Sequence, residues 1–166
     1  MGTFVNPSIE NFEKDLKNNV FVDKSLLMKE LNRIVDSTNC YLCVSRPRRF
    51  GKTMAENMIG AYYGRTTDTS HIFNKLLIGK DEDAHENYLK YLNKYNILSI
   101  DCLTIWTNRE KFSFMEYMKY AINKDLIEEF PNIELNPQNS VASNIEKIYN
   151  QTKIKFVILF DEYDLP

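Results

Sequence analysis

The feature that most constrains the fold is the stretch from Cys40 to Thr53, Cys-Tyr-Leu-Cys-Val-Ser-Arg-Pro-Arg-Arg-Phe-Gly-Lys-Thr. An apolar run, a basic turn and then Gly51-Lys52-Thr53 predict a strand, a loop and a helix start in that order. Backbone N–H groups at a helix N-terminus carry the positive end of the helix dipole and can bind phosphate oxygens. The stretch therefore predicts a phosphate-binding loop, in which the Lys52 ammonium reaches the β- and γ-phosphates and the Thr53 hydroxyl ligates Mg²⁺. The first glycine of the G-x-x-x-x-G-K-S/T pattern would be residue 46, where this chain has Arg46, so the match is partial.

Length and composition favour one soluble α/β domain. A chain of 166 residues can build a core that buries roughly two thirds of its unfolded surface. The net charge of −2 argues against nucleic-acid binding by the whole surface, although Arg46, Arg48 and Arg49 form a local basic cluster. No apolar run approaches the roughly 20 residues of a spanning helix, and the N-terminus lacks a secretion-signal pattern. We therefore expect a soluble, cytoplasmic protein without membrane contact.

The cysteines and histidines predict no redox or metal site. Cys40, Cys43 and Cys102 lie in apolar runs, and residues three apart on a strand point to opposite faces, whereas a redox pair needs a helix start. We expect all three to be reduced thiols buried as small hydrophobic side chains. No second cysteine pair or paired histidine completes a zinc site, and His71 and His85 are predicted to lie at the surface.

The hydrophobic pattern alternates between strands and helices. Continuous apolar runs typical of strands buried on both faces cover residues 40–45, 96–100 and 155–160. Helices are predicted over 9–16 after an N-cap at Pro7-Ser8, from a cap at Asp23 to residue 35, and over 52–63, 81–93, 114–130 and 137–151, with a polar connection containing Trp106 before Phe114. Strands separated by helices favour βαβ units and a mainly parallel sheet.

A second motif follows the last predicted strand, where five apolar residues lead into Asp161-Glu162. In a parallel sheet, ligands bind beyond the carboxyl ends of the strands, so Asp161 is expected beside the loop that follows residues 40–45. Asp161 would ligate Mg²⁺ directly or through water. Glu162 would orient or deprotonate an attacking water.

Each motif also has an ordinary structural explanation. Gly-Lys-Thr at a helix N-terminus occurs often without a nucleotide, and acidic residues commonly end buried strands. Both motifs in the expected order, with helices between them, favour nucleotide binding over these explanations.

Val44-Ser-Arg-Pro-Arg-Arg-Phe-Gly-Lys-Thr53 and Phe160-Asp-Glu-Tyr-Asp-Leu-Pro166 together resemble the AAA-ATPase-like family that is typically joined to a C-terminal nuclease of the PD-(D/E)xK type. Val5-Asn-Pro7, Phe21-Val-Asp-Lys-Ser25 and Ala61-Tyr-Tyr63 are also similar to that family. In this family an arginine takes the place of the first glycine, so Arg46 is an expected variant.

The resemblance implies a P-loop NTPase-like three-layer sandwich with a mainly parallel sheet. It also implies a helical lead-in over residues 1–36 and the N-terminal part of the ATPase-like domain over 37–166. The cofactors implied are ATP and Mg²⁺. The site residues that follow are Arg48, Arg49, Phe50, Gly51, Lys52, Thr53 and Met54 for the nucleotide, Thr53 and Asp161 for the metal, and Glu162 and Lys52 for catalysis.

Some residues keep two interpretations. Arg46, Arg48 and Arg49 either contact phosphate or shape the outer wall of the loop, and the second is favoured because Pro47 fixes the backbone beside them. Asp101 either supports the site indirectly or is an ordinary solvated strand end. The aromatic residues are expected in the core and at its rim rather than as a base-stacking platform, since no basic residues interleave with them.

If the resemblance holds, the chain stops just after the Asp161-Glu162 motif. Several expected parts would then lie beyond Pro166: the strand between the two motif strands, the sensor residue, any arginine finger and the nuclease. The sequence therefore predicts an incomplete sheet that invites a protein partner or self-association, and contact with nucleic acid only through a missing nuclease domain. Two functions stay open: an ATP-hydrolysing module, or a nucleotide-binding or scaffold fragment without turnover.

Overall fold

The computed structural model describes residues 2–45 and 50–163. The chain divides into two compact units, Met1–Ser8 with Tyr95–Pro166, and Ile9–Lys94. Within the described residues the α-helices are α1 (Glu10–Leu16), α2 (Leu27–Ile34), α3 (Lys52–Tyr63), α4 (Ser70–Phe73), α5 (Leu77–Lys80), α6 (His85–Tyr91), α7 (Cys102–Asn108), α8 (Phe114–Glu129) and α9 (Val141–Thr152). A 3₁₀ turn covers Glu82–Ala84, and the strands are β1 (Asn96–Asp101) and β2 (Phe156–Asp161).

The two strands form a small parallel sheet in the unit that contains residues 95–163. Their register pairs Asn96 with Phe156 at one end and Asp101 with Asp161 at the other. The chain is therefore a mixed α/β protein, and its two described strands are parallel, in agreement with the predicted mainly parallel sheet. Because both strands run the same way, Asp101 and Asp161 lie side by side at the carboxyl end of the sheet.

The N-terminal segment borders the other edge of β1. Val5 forms an isolated antiparallel bridge with Leu98, with Asn6 N–H donating to the Ile97 carbonyl at 2.8 Å and Ser99 N–H donating to the Phe4 carbonyl at 2.8 Å. The segment is thus a short edge partner of the sheet, which the sequence pattern did not indicate.

Three helices complete the core of this unit. Ile105 of α7, Ile122 and Leu126 of α8 and Ile148 of α9 are fully buried with Leu98 of β1. The bounds of α8 match the prediction within one residue, and its first turn carries a capping box in which Ser113 and Glu116 bond each other's backbone N–H groups.

Two predictions for this unit need correction. The expected polar connection is the helix α7, because the Asp101 carboxylate accepts from the N–H groups of Leu103 and Thr104 and caps it. Helix α9 begins at residue 141 rather than 137, since Ser140 is its N-cap and accepts from Ser143 N–H.

Strand β2 is not buried on both faces as predicted. Ile158 is 48% exposed and Phe160 is 55% exposed. Within the described residues β1 is the only strand that pairs with β2. Strand β1, in contrast, is buried along most of its length, since it has a neighbour on each edge.

The unit Ile9–Lys94 is helical, and the second half of α3 lies in its core. Tyr62 and Tyr63 of α3 are buried with Phe12 and Phe73. The Phe12 and Phe73 rings stack at a centroid distance of 5.5 Å, and Tyr62 contacts Phe73 edge to face at 5.2 Å. The prediction of a helix over residues 52–63 is confirmed.

The first two helices of this unit are capped differently from the prediction. The N-cap of α1 is Ile9, without a side-chain hydrogen bond, rather than Pro7-Ser8. Helix α2 begins at Leu27, and Asp23 instead accepts from Ser25 N–H at 2.8 Å and so closes the turn that precedes it.

The predicted buried strand over residues 40–45 is wrong for the described structure. No strand in the described part of the chain includes these residues, and all six are exposed, Tyr41 to 91%. Cys40 and Cys43 are therefore exposed, contrary to expectation, whereas Cys102 is buried as predicted. An apolar run becomes a strand only where a neighbouring strand satisfies its N–H and C=O groups.

Candidate functional site

Helix α3 begins at the predicted Gly-Lys-Thr sequence. Gly51 is the N-cap and has φ 73° and ψ 39°, the left-handed conformation that glycine adopts at little cost. The first intrahelical bond runs from Ala55 N–H to the Gly51 carbonyl at 3.1 Å, so the N–H groups of Lys52 and Met54 precede the intrahelical ladder. A glycine N-cap has no side chain to accept from them. The turn therefore presents backbone donors at the positive end of the helix dipole.

The residues around this turn are accessible. Phe50 is 61% exposed, Thr53 is exposed, and Gly51, Lys52 and Met54 are half-buried. A ligand from solvent can therefore reach the start of α3, where a phosphate would meet backbone N–H groups and the Lys52 ammonium.

Lys24 also belongs to this site, although the sequence motifs did not select it. Its Nζ donates to the Phe50 carbonyl at 2.8 Å. The neighbouring Asp23 accepts from Leu77 N–H at 2.8 Å and so ties the turn to α5. The only sequence signal for Lys24 is its place in Phe21-Val-Asp-Lys-Ser25, one of the stretches that carry the family resemblance.

The second predicted motif ends β2. Asp161 and Glu162 are half-buried, the Asp161 carboxylate accepts from Glu162 N–H at 3.0 Å, and Glu162 has a left-handed φ of 51°. A non-glycine residue in this region turns the chain sharply as it leaves the sheet. The two carboxylates thus follow the carboxyl end of a parallel strand, as predicted.

Asp101, which is paired with Asp161 in the strand register, caps helix α7. Its Oδ1 accepts from Leu103 N–H at 2.9 Å, and its Oδ2 accepts from the Thr104 hydroxyl at 2.6 Å. Both carboxylate oxygens therefore serve the first turn of α7, a capping role that neither of the two interpretations described.

The structure brings the predicted site residues together in two groups. Residues 50–54 form one turn in the unit Ile9–Lys94, and Asp161 with Glu162 form the strand end in the other unit. The predicted contacts Arg48 and Arg49, with Arg46, lie outside the described residues.

No group of three or more histidine, cysteine, aspartate or glutamate side chains that could hold a metal exists among the described residues. Mg²⁺ in nucleotide sites keeps several waters and takes only one or two protein ligands beside the phosphates. Thr53 carries a hydroxyl and Asp161 a carboxylate, and each is a donor type that Mg²⁺ accepts.

The fold and the site define a mixed α/β protein. The N-terminus of one helix is suited to binding an anion, and one strand ends in two acidic residues. The chain belongs to the family described as Predicted AAA-ATPase, whose sequence model matches residues 7–166. No curated protein matches the chain, and no solved structure does. Membership of this family supports a nucleotide-binding role.

No helix in the described part of the chain is long and apolar enough to cross a membrane.

Proposed function

We propose that the chain binds Mg-ATP, with the phosphates at the turn formed by residues 50–54. The observation that carries this proposal is the left-handed Gly51 at the start of α3, followed at once by Lys52, in a member of an ATPase family. A left-handed residue followed by a helical one directs successive N–H groups toward the same side, which suits an anion. Lys52 adds a full positive charge at that point.

The remaining roles follow from the motif chemistry. Thr53 and Asp161 are the residues that would each offer an oxygen ligand to Mg²⁺, and the ion would supply neutralisation of the phosphate charge. As the motif implies, Glu162 would orient the attacking water and accept a proton from it. Met54 and Phe50 complete the turn, and Arg48 and Arg49 remain predicted contacts.

The wider arrangement belongs to the same proposal. We place these residues in a P-loop NTPase-like sandwich, with a helical lead-in over residues 1–36 and the ATPase-like domain from residue 37. ATP hydrolysis would be coupled to a nuclease domain of the kind that the resemblance implies. The half-exposed β2 is the edge at which a further strand or a protein partner would pair.

Calorimetric titration of Mg-ATP tests the binding claim. Lys52→Ala removes the charged donor and is expected to weaken binding about 10- to 100-fold. Lys14→Ala is the matched control, because Lys14 lies 3.9 Å from Glu10 in a surface ion pair whose two side chains are more than two-thirds exposed. Equal affinity of the wild type and Lys52→Ala would contradict the proposal.

Phosphate release tests the role of Glu162. If the chain hydrolyses ATP, Glu162→Gln should lower turnover by about 100-fold or more while Mg-ATP affinity stays within about threefold. Turnover in Glu162→Gln at the rate of the wild type would remove Glu162 from the mechanism. Tight binding with no turnover in the wild type would instead favour the second function, a nucleotide-binding module without hydrolysis.

A further inference from the structure

Lys24 lies at the start of α3 although it is remote in sequence. Its ammonium donates to the Phe50 carbonyl at 2.8 Å, across a separation of 26 residues. A Cβ built on Gly51 would lie 2.8 Å from the same Nζ atom. The cation therefore lies against the N-cap residue itself, where a side chain larger than hydrogen would meet it.

The backbone around Lys24 is held on both sides. The Asp23 carboxylate accepts from the N–H groups of Ser25 and Leu77, each at 2.8 Å. Ser25 is fully buried, and its hydroxyl accepts from Ile78 N–H at 3.0 Å. Lys24 thus extends from a turn whose backbone is held by the residues on both sides of it.

Helix stability does not explain a lysine at this place. A positive charge beside a helix N-terminus opposes the helix dipole, which favours anions there. The charge is useful if the turn has to receive an anion, because a carbonyl oxygen bonded to an ammonium repels a phosphate less than a bare one. The bond also restrains the residue that precedes the left-handed Gly51.

We propose that Lys24 is a positioning residue of the phosphate-binding turn. By holding the Phe50 carbonyl, it fixes the turn in the conformation that presents the N–H groups of Gly51 and Lys52 to the phosphates. This inference rests on the proposed function. Since Lys24 acts through the loop, it affects every ligand that places a phosphate there, and ADP as much as ATP.

The test compares Mg-ATP and Mg-ADP affinities by calorimetry for the wild type, Lys24→Met, Lys24→Arg and the control Lys14→Met. Lys24→Met keeps the length of the side chain and removes the donor, so both nucleotides should bind about tenfold more weakly. Lys24→Arg keeps a donor for the carbonyl and should stay within about threefold of the wild type. Lys14→Met should leave both affinities unchanged, since Lys14 lies on the exposed surface of α1.

Melting temperatures without nucleotide separate positioning from stability. The Lys24–Phe50 bond is exposed, so Lys24→Met should melt within a few degrees of the wild type. Unfolding of Lys24→Met at the assay temperature would overturn the inference, because the bond would then serve the fold. A loss for ATP alone would also overturn it and would indicate direct contact with the γ-phosphate.

The outcomes distinguish this inference from the proposed function. Wild-type affinity in Lys24→Met, with binding lost in Lys52→Ala, would overturn the role of Lys24 and leave the proposed function intact. No binding of Mg-ATP or Mg-ADP by the wild type would overturn both.

Discussion

Helix α3 differs sharply between its first and last turns. At the first turn, Phe50 and Thr53 are exposed and the N–H groups of Lys52 and Met54 precede the intrahelical ladder. At the last turn, Tyr62 and Tyr63 are buried, and the Ala61 carbonyl accepts from the Thr69 hydroxyl at 2.9 Å. The Tyr62 carbonyl accepts from Asn93 N–H at 2.8 Å.

Side chains also enclose the buried end. Asn32 donates to the Tyr62 hydroxyl at 2.9 Å and accepts from the Tyr63 hydroxyl at 2.7 Å. The Tyr62 hydroxyl in turn donates to the Tyr88 carbonyl at 3.2 Å. One helix therefore anchors the unit at one end and presents the N–H groups of its first turn at the other, and a rigid element can carry a binding site in this way.

The largest expected effect lies at the buried end. Tyr62→Ala should destabilise the protein by about 3–5 kcal/mol, because it leaves a cavity in an aromatic core and removes a hydroxyl from the Asn32 network. Lys52→Ala should change stability by less than about 0.5 kcal/mol, since its side chain lies at the open end. Urea unfolding measures both, and comparable losses would remove the proposed division between the two ends.

A smaller effect is expected from Gly51→Ala at the open end. The left-handed φ of 73° costs an alanine about 1–2 kcal/mol, and the new methyl group would displace the Lys24 ammonium. Both stability and Mg-ATP affinity should fall. Gly60→Ala is the matched control, because Gly60 lies inside α3, where alanine is preferred by up to about 1 kcal/mol. Unchanged affinity in Gly51→Ala would argue against phosphate binding at this turn.

The last effect appears only at alkaline pH and sharpens the description of the buried end. Burial raises the pKa of Tyr62 to about 12 from 10.0, while the hydrogen bond from Asn32 acts in the opposite direction. The unfolded chain therefore loses this proton first, so stability is full below pH 10.0 and falls as pH rises toward about 12.

Tyr62→Phe should remove part of this alkaline loss, whereas Tyr41→Phe, at a residue that is 91% exposed, should not. Urea unfolding at a series of pH values measures the slope. The same slope in the wild type and in Tyr62→Phe would show that Tyr62 does not titrate differently in the folded state.

Local patterns in the sequence predicted the elements whose signals lie within them. Helix α3 starts at Lys52 as expected, because the Gly-Lys-Thr sequence sets its N-terminus. Helix α8 ends just before Pro131, which cannot continue a helix. Strand β1 matches its predicted bounds, since a short apolar run with β-branched residues between polar ends favours a strand.

The secondary-structure predictions that were wrong depend on long-range contacts, which a local sequence pattern does not contain. Residues 40–45 and β1 have similar apolar runs, yet β1 has a neighbour on each edge and residues 40–45 belong to no strand in the described structure. Val5 and Leu98 are far apart in the sequence, so the hydrophobic pattern near Val5 does not predict their pairing.

The candidate site divides in the same way. The turn at Gly51 was predictable because the motif itself requires it, and Asp161-Glu162 because they end an apolar run. Lys24 was not, since its contact with Phe50 crosses 26 residues and a lone lysine after an aspartate is ordinary.

The most direct test of the account is backbone amide NMR while Mg-ATP is titrated into the protein. We predict the largest chemical-shift changes at Gly51, Lys52 and Met54, and only small ones at Tyr62 and Tyr63, because phosphate contacts the open end of α3 and leaves the buried end in place. Absence of shifts at the start of α3 at saturating Mg-ATP, or changes centred on the buried end, would contradict it.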